Sequence, residues 1–300
     1  MISSYLSQLS RFMDSLIISI RPIHAIIFIS SSRLYCPGEA LEMMLIGEKC
    51  NGMFSAVGKA IDNRDADFIA KLASDQAKAG ASVIDLSTGP GRDDAADAMR
   101  WLVKVAQGAT DARLSIDSPS VDVIRAGLEE CKGHPLINST TAEIEKMSKL
   151  FPLAKDFNAE IVCLTIDEKG IPNTVDQRME LAMTILATAM DAGVPTESLY
   201  LDPVILPVSA AQNQLPMVCE SISAFKNLSS PAPKTVVGLS NVSNGAQEKK
   251  LLNRVYLAML VGRGLDAAIV DVLDVDLMNT VKAAEVLLNK KLYAHSFLKV

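Results

Sequence analysis

The chain has 300 residues, a formal net charge of −6 and a sequence pI near 5.2. This acidic balance argues against a nucleic-acid partner, because nucleic-acid binders carry a basic patch. Hydrophobic residues make up 49% of the chain and aromatic residues only 5%, which predicts an aliphatic core. Such a core is typical of parallel Val, Ile and Leu strands that are covered by helices on both faces of the sheet.

The cysteine and histidine content argues against disulfides and against a metal centre. No C-x-x-C pair occurs, and no histidine lies at metal-ligand spacing from a cysteine or from another histidine. We therefore expect reduced thiols, a cytoplasmic location and no protein-bound metal. The residues concerned are Cys36, Cys50, Cys131, Cys163, Cys219, His24, His134 and His295.

Residues 1–42 do not share the pattern of the remaining sequence. Their apolar runs, Ser15–Ile20 and Ile23–Ile29, are shorter than the roughly 18–20 residues that a membrane helix needs, so we expect no membrane span. We interpret the segment as a disordered N-terminal extension, or as upstream sequence joined by a mistaken start codon, with the true start at Met43 or Met44. A weak membrane or partner anchor is the alternative.

From Met44 onward, short apolar runs alternate with stretches of helical period. The predicted strands are Met44–Lys49, Ser82–Leu86, Arg113–Ile116, Pro135–Ile137, Glu160–Ile166, Leu199–Leu201, Thr235–Leu239 and Ala267–Val272. The predicted helices are Asp65–Ala79, Asp93–Gln107, Val121–Cys131, Ala142–Phe157, Val175–Ala192, Gln214–Leu228, Gln247–Arg263 and Asp276–Leu288. Eight strand–helix pairs predict an α/β fold, a closed (β/α)8 TIM barrel over residues 43–300. No G-x-G-x-x-G follows the first strand, which excludes a dinucleotide-binding fold.

Polar side chains gather where the predicted strands end. In TIM barrels these ends meet at one mouth, where the chemistry takes place. The residues are Glu48, Asn51, Asp85, Ser87, Thr88, Asp117, Ser118, Asn138, Ser139, Thr165, Asp167, Asp202, Ser240, Asn241, Asn244 and Asp271. Only Lys49 and Lys169 are basic there, which disfavours a phosphate-bearing substrate. Gly89–Arg92 is read as a tight turn, with an anion nest as the alternative.

A mouth rich in acceptors suits a flat heterocycle that is rich in donors. A 2-amino-4-oxo-pyrimidine ring presents an N–H and an NH2 side by side, and one carboxylate accepts both. We assign this contact to Asp117 and Asp202, flanked by Asn138. The plain alternative for each aspartate is a helix N-cap.

Six motifs in register resemble the pterin-binding methyltransferase family. That family includes the methyltetrahydrofolate:corrinoid/iron–sulfur protein methyltransferases and the methyltransferase component of anaerobic O-demethylase systems. The resemblance extends from about Met43 to the C-terminus. The motifs are Gly47–Gly52, Ile84–Pro90, Ile116–Ser118, Ile137–Thr140, Leu201–Pro207 and Gly238–Ser243.

The resemblance implies a role for each matching residue. Asp117, Asn138 and Asp202 would hold the pterin ring. Asn241 would hydrogen-bond the nitrogen that carries the methyl group. Further pocket residues would be Gly238, Ser240 and Asn244, with Glu48, Asn51 and Asp85 as additional candidates. This chain departs from the family pattern at three positions. It has Asn244 where the family usually has a glutamine, Ser87 where the family often has an asparagine, and Lys249 where an arginine is expected.

The implied reaction moves a methyl group between tetrahydrofolate and the cobalt of a corrinoid, in either direction. The chain lacks the Asp-x-His-x-x-Gly signature of a cobalamin-binding module, so the corrinoid (cobalamin) is expected on a partner, a corrinoid or corrinoid/iron–sulfur protein. Asn241 would donate a hydrogen bond and Asp202 would relay a proton. The resemblance also implies a homodimer. The alternatives are a dihydropteroate synthase-like enzyme and a non-catalytic folate-binding protein.

Overall fold

In the computed structural model, which describes residues 42–299, eight parallel strands close into one barrel. The strands are β1 Met44–Gly47, β2 Val83–Ser87, β3 Arg113–Asp117, β4 Leu136–Thr141, β5 Glu160–Leu164, β6 Leu199–Asp202, β7 Lys234–Gly238 and β8 Ala267–Val270. β1 pairs with both β2 and β8, so the sheet has no free edge. The predicted TIM barrel is confirmed, and the expectations for residues 1–41 lie outside the described residues.

Helices cover the barrel on its outside. They are α1 Ser55–Asp62, α2 Ala66–Lys78, α3 Ala95–Ala109, α4 Val121–Glu130, α5 Ile144–Asp156, α6 Val175–Ala192, α7 Val208–Ala211, α8 Gln214–Phe225, α9 Lys249–Val261 and α10 Val275–Leu287. All eight predicted helices are present, whereas α1 and α7 were not predicted. Among residues 42–299, no helix combines the length and the apolar composition that a membrane crossing needs.

The interior of the barrel is filled by side chains from alternate strand positions. Seven of them form one buried layer, each at most 3% exposed, and this layer makes the lower barrel a packed core and not a pore. The layer consists of Ile46, Val83, Leu136, Val162, Tyr200, Val236 and Ala267. The other face of each strand packs against the helices, as Leu86 and Ile116 do.

An ionic cluster lies at the N-terminal ends of the strands. Glu160 accepts from Arg113 at 2.5 Å and from Lys234 Nζ at 2.6 Å, and all three begin a strand. Burial raises the pKa of Glu160, but the hydrogen bonds from Lys234 and Arg113 outweigh it, so the pKa lies below its ordinary value. The cluster therefore stabilises the fold at the end of the barrel opposite the mouth.

Candidate active site

A cavity of about 640 Å³ opens at the C-terminal ends of the strands. Carboxylates and carboxamides dominate its walls, as the strand-end pattern predicted, but Lys249 and Lys250 add basic side chains beyond the predicted Lys49. The lining residues are Glu48, Lys49, Asn51, Met53, Phe54, Asp85, Asp117, Asn138, Gly238, Ser240, Asn241, Ser243, Asn244, Lys249, Lys250, Asn253, Ile269, Asp271, Asp274 and Leu277.

Two aspartates and one asparagine from neighbouring strands form the first wall of the cavity. Asp117 is paired with Asn138 in the β3–β4 register. Asp85 Oδ1 accepts from Asn138 Nδ2 at 3.1 Å and from Ser115 Oγ at 2.5 Å. These bonds fix both the carboxyl group of Asp85 and the orientation of the Asn138 amide.

The pKa values of Asp85 and Asp117 both lie above their ordinary values. Burial, followed by the nearby charge of Asp117, raises the pKa of Asp85 to about 7. Burial also raises the pKa of Asp117, against the opposing effects of the Ser87 hydroxyl and of Lys146. With a pKa of about 7, the Asp85 carboxyl group therefore holds its proton in part at neutral pH.

A second wall links β1 to the loop that follows β7. Ser240 Oγ lies 2.9 Å from each carboxylate oxygen of Glu48 and donates to that group. Lys49 Nζ lies 2.8 Å from Asp271 Oδ2 and 3.8 Å from Glu48 Oε1. Burial raises the pKa of Glu48, while the Ser240 hydroxyl and Lys49 oppose that shift. Lys49 is thus already paired with carboxylates of the cavity.

Asn241 lies on a 3-10 turn, Leu239–Ser243, directly after β7. Its side chain is exposed to the cavity and its amide makes no hydrogen bond within residues 42–299. A Cβ atom at Gly238 would lie 3.1 Å from Asn241 Nδ2, so glycine leaves the amide room above the backbone. The amide is available to a bound molecule.

Asp202 contacts the predicted site residue Gly238 but does not itself line the cavity. The residue is buried. Its carboxylate accepts from the Val204 N–H at 2.7 Å, and the Gly238 amide also bonds to it. Burial raises the pKa of Asp202 to about 7. Its assigned ring contact and relay role stay predictions.

The loop after Asp202 is fixed by a buried arginine. Arg178 is fully buried, and its Nε donates to the Pro203 carbonyl at 2.8 Å while an Nη donates to Gln214 at 3.1 Å. Val204 has a φ of 65°, which β-branched residues rarely adopt, and this conformation turns its N–H toward Asp202. These contacts orient the Asp202 carboxyl group toward backbone donors.

Other strand-end residues lie in neighbouring clefts. Ser87, Thr88 and Ser118 line a second cavity of about 390 Å³, which shares Met53 and Asp117 with the main cavity. Asp167 and Lys169 line a third cleft, after β5.

The Gly89–Arg92 segment adopts a turn in which the arginine is paired. Gly89 and Gly91 both have positive φ angles. Arg92 contacts Asp62 at 2.5 Å and Asp94 at 3.0 Å. A guanidinium group that is already paired in this way favours the tight turn over an anion nest.

Sequence reasoning missed the parts of the cavity that lie beyond the strand ends. Met53 and Phe54, 76% and 43% exposed, lie at the rim in the turn that follows β1. Asn253 and Leu277 line the cavity from the N-terminal parts of α9 and α10. In a barrel the helix starts face the mouth, so the beginning of each predicted helix was the signal that could have found them.

Comparison with known proteins assigns the chain to a family. Residues 51–271 match the family described as "Pterin binding enzyme". A methylcorrinoid:tetrahydrofolate methyltransferase of Eubacterium limosum is 32% identical over 248 residues, which cover 82% of this chain and 91% of that protein. A methionine synthase of Mycobacterium leprae is 31% identical over 241 residues, which cover 76% of this chain but only 20% of the synthase.

A solved structure supports the architecture. The DHPS of Yersinia pestis, determined with a pterine–sulfa conjugate, superposes with a TM-score of 0.62. It is 14% identical, and the match covers 84% of this chain and 96% of that chain, so the likeness shows the fold alone. The closed barrel, the carboxylate and carboxamide mouth, and the match over residues 51–271 lead to one conclusion: the chain belongs to the pterin binding enzyme family.

Proposed function

We propose that this protein is a methyltransferase that moves a methyl group between tetrahydrofolate and the cobalt of a corrinoid held by a separate protein. The observation that carries the proposal is the 32% identity over nearly the whole length of a relative with that named activity. The polar cavity supports it, because its acceptors match the donors of a pterin ring. The direction of transfer is left open.

In this proposal the first wall of the cavity binds the pterin ring. The ionised carboxylate of Asp117 accepts from the ring N–H and the adjacent NH2, which form a fork of donors. Asp85 and Asn138 complete the wall, and their mutual hydrogen bond of 3.1 Å keeps both side chains in place before the ligand arrives. The pocket needs no metal to hold a neutral, planar ring.

The chemical difficulty lies at the ring nitrogen that bears the methyl group. When that bond breaks, negative charge develops on the nitrogen, and a hydrogen bond or a proton must offset it. The free amide of Asn241 donates that hydrogen bond in our proposal. Asp202, whose pKa is raised to about 7 by burial, is the candidate relay in our proposal and exchanges the proton with the ring nitrogen through water. The corrinoid cobalt, when its partner protein is docked, accepts or supplies the methyl group.

An open mouth suits a reaction that requires a second protein. Met53 and Phe54 are exposed beside the cavity, where an incoming corrinoid protein would make contact. As the family resemblance implies, we also propose a homodimer, and the cysteine pattern, which predicts reduced thiols, supports a cytoplasmic location. Light scattering of the purified protein tests whether it is a homodimer.

Mixing the protein with methyltetrahydrofolate and cob(I)alamin tests the proposal directly. We expect the cob(I)alamin absorbance to be replaced by that of methylcobalamin at a rate proportional to protein concentration. A protein that binds the folate without changing the cobalt spectrum would be the non-catalytic binder. Formation of dihydropteroate from a dihydropterin pyrophosphate and p-aminobenzoate, with release of pyrophosphate, would indicate the synthase-like alternative.

A further inference from the structure

The position of the Asn241 amide depends on the turn that carries it. This turn, Leu239–Ser243, follows β7 and packs Leu239 and Val242 into the core. Asn241 itself is exposed to the cavity, and its amide makes no hydrogen bond within residues 42–299. The rotation about the last side-chain bond of an asparagine is broad, so the amide is not fixed by contacts of its own. Its direction is therefore determined by how the turn is held.

A hydroxyl group joins this turn to the end of β1. Ser240 Oγ lies 2.9 Å from each carboxylate oxygen of Glu48, so its single proton is shared between the two oxygens. β8 lies between β7 and β1 in the barrel, so the contact crosses the end of a whole strand. The Ser240 hydroxyl proton is engaged within the protein and is not free for a ligand.

Glu48 is a rigid support for this contact. Its backbone N–H donates to the Val270 carbonyl at 3.1 Å, and its side chain is only 16% exposed. Lys49 Nζ lies 2.8 Å from Asp271 but 3.8 Å from Glu48, so its nearer partner is Asp271. Among the described residues, the Ser240 hydroxyl is therefore the closest donor to the Glu48 carboxylate. A hydrogen bond to a charged group is stronger than one between neutral groups.

We infer that Glu48 is a positioning residue for methyl transfer: it holds Ser240, and through Ser240 it fixes the turn from which the Asn241 amide donates. The inference rests on the proposed function. Glu48 acts through Asn241 and does not itself donate to the reacting nitrogen. A displacement of about 1 Å can lower the rate of an enzyme by about 100-fold, so the contact should affect the rate of transfer more than folate affinity.

The test measures single-turnover rates of methyl transfer from methyltetrahydrofolate to cob(I)alamin, together with folate affinity by titration. Glu48→Ala and Ser240→Ala should each lower the rate about 10–100-fold and change the affinity less than about threefold. The double variant should be no slower than either single variant, because both remove the same contact. In the Asn241→Ala background, Glu48→Ala should cause no further loss of rate.

Glu48→Gln separates positioning from proton donation. Glutamine still offers an oxygen to Ser240 Oγ, so this variant should regain most of the rate that Glu48→Ala loses. A glutamine variant as slow as the alanine variant would make Glu48 an acid and would overturn the inference. Glu197→Ala is the control for the loss of one charge, because Glu197 is exposed and lies just before β6, at the far end of the barrel.

The remaining outcomes are equally decisive. A further loss of rate on adding Glu48→Ala to Asn241→Ala would show that Glu48 does not act through Asn241. If circular dichroism shows that Glu48→Ala does not fold, the smaller change Ser240→Ala, alone and with Asn241→Ala, makes the same comparison. A wild type that transfers no methyl group would remove the proposed function and the inference together, whereas transfer with independent losses would remove the inference alone.

Discussion

At the scale of single residues, the Asn241 amide is suited to transition-state stabilisation and not to acid catalysis. A carboxamide does not ionise usefully, but its N–H donor strengthens a hydrogen bond as negative charge develops. We predict that Asn241→Ala lowers the rate of methyl transfer roughly 10–1000-fold and changes folate affinity much less. Single-turnover rates and a separate binding titration measure the two effects, and an unchanged rate would remove the assignment.

Asp117 should have the opposite profile, because in the proposed function it binds the ring and does not contact the reacting nitrogen. An asparagine accepts one of the two ring donors and turns its own NH2 toward the other. We predict that Asp117→Asn weakens pterin binding by about 10–100-fold, the loss expected for a charged hydrogen bond of 1.5–3 kcal/mol. Asp167→Asn, at a strand end outside the main cavity, is the control. Normal affinity in the Asp117 variant would contradict the fork.

Residue positions were predictable from the sequence where strand register alone determines them. Asp117 and Asn138 are neighbours in the register, and both follow apolar runs that are visible in the sequence. Asp202 shows the limit of this reasoning. It ends β6 as expected, but the Val204 conformation and the contact of Arg178 with Pro203 direct its carboxylate to backbone donors. Such loop geometry leaves no periodic pattern in the sequence, so it could not be predicted.

At the scale of elements, the loops after β1 and β2 are held together backbone to backbone. Gly52 N–H donates to the Ser87 carbonyl at 2.8 Å, and a Cβ at Gly52 would overlap the Thr88 carbonyl and lie 2.8 Å from Gly89 N. We predict that Gly52→Ala destabilises the protein by about 1–3 kcal/mol, since backbone cannot yield as a side chain can. The substitution should also weaken pterin binding, because the loop after β1 contains Asn51 and the loop after β2 follows the strand that contains Asp85.

The matched control for Gly52 is a glycine that has open space around it. Gly108 lies near the end of α3, and a methyl group added there would meet no heavy atom within 4 Å among the described residues. Gly108→Ala should stabilise the protein by roughly 0.5 kcal/mol through helix propensity. Chemical denaturation measures the change in the free energy of unfolding for both variants. Equal changes would contradict the proposed packing of the two loops.

Element type was easier to predict than element length. Val272 is 1% exposed although it lies beyond the end of β8 at Val270, so hydrophobicity continued past the hydrogen-bonded strand. The missed helix α1 is only eight residues long and contains Gly58, which gives too few turns for a periodic pattern to be recognised.

At the scale of the whole molecule, the Glu160 ionic cluster and the candidate active site lie at opposite ends of the barrel. We predict that Glu160→Gln lowers the free energy of unfolding by about 1–3 kcal/mol, because it removes the charge shared by Arg113 and Lys234. The folded pKa of Glu160 is lowered, so its contribution is present above the unfolded pKa and is lost as pH falls through the folded pKa. Denaturation curves of the two proteins should therefore differ at pH 7 and converge at acidic pH.

Methyl transfer by the folded Glu160→Gln protein should equal that of the wild type, since the cluster lies at the far end of the strands. Glu220→Gln on α8, an exposed position, is the control for the loss of one charge. A variant that is fully stable would contradict the stabilising role of the cluster, and one that is folded but inactive would show that the two ends are not separate.

The raised pKa values of Asp85 and Asp117 couple ligand binding to the surrounding buffer. A ring that offers only N–H donors favours ionised carboxylates, so we expect its entry to release the proton that Asp85, with a pKa raised to about 7, holds in part near neutral pH. Enthalpies of ligand binding, measured by calorimetry near pH 7 in phosphate and in Tris, should therefore differ in proportion to the ionisation heats of the two buffers. The sign of the difference should be that of proton release from the protein. The difference should vanish at pH 9 and in Asp85→Asn, and proton uptake would be incompatible with a carboxylate that receives the ring.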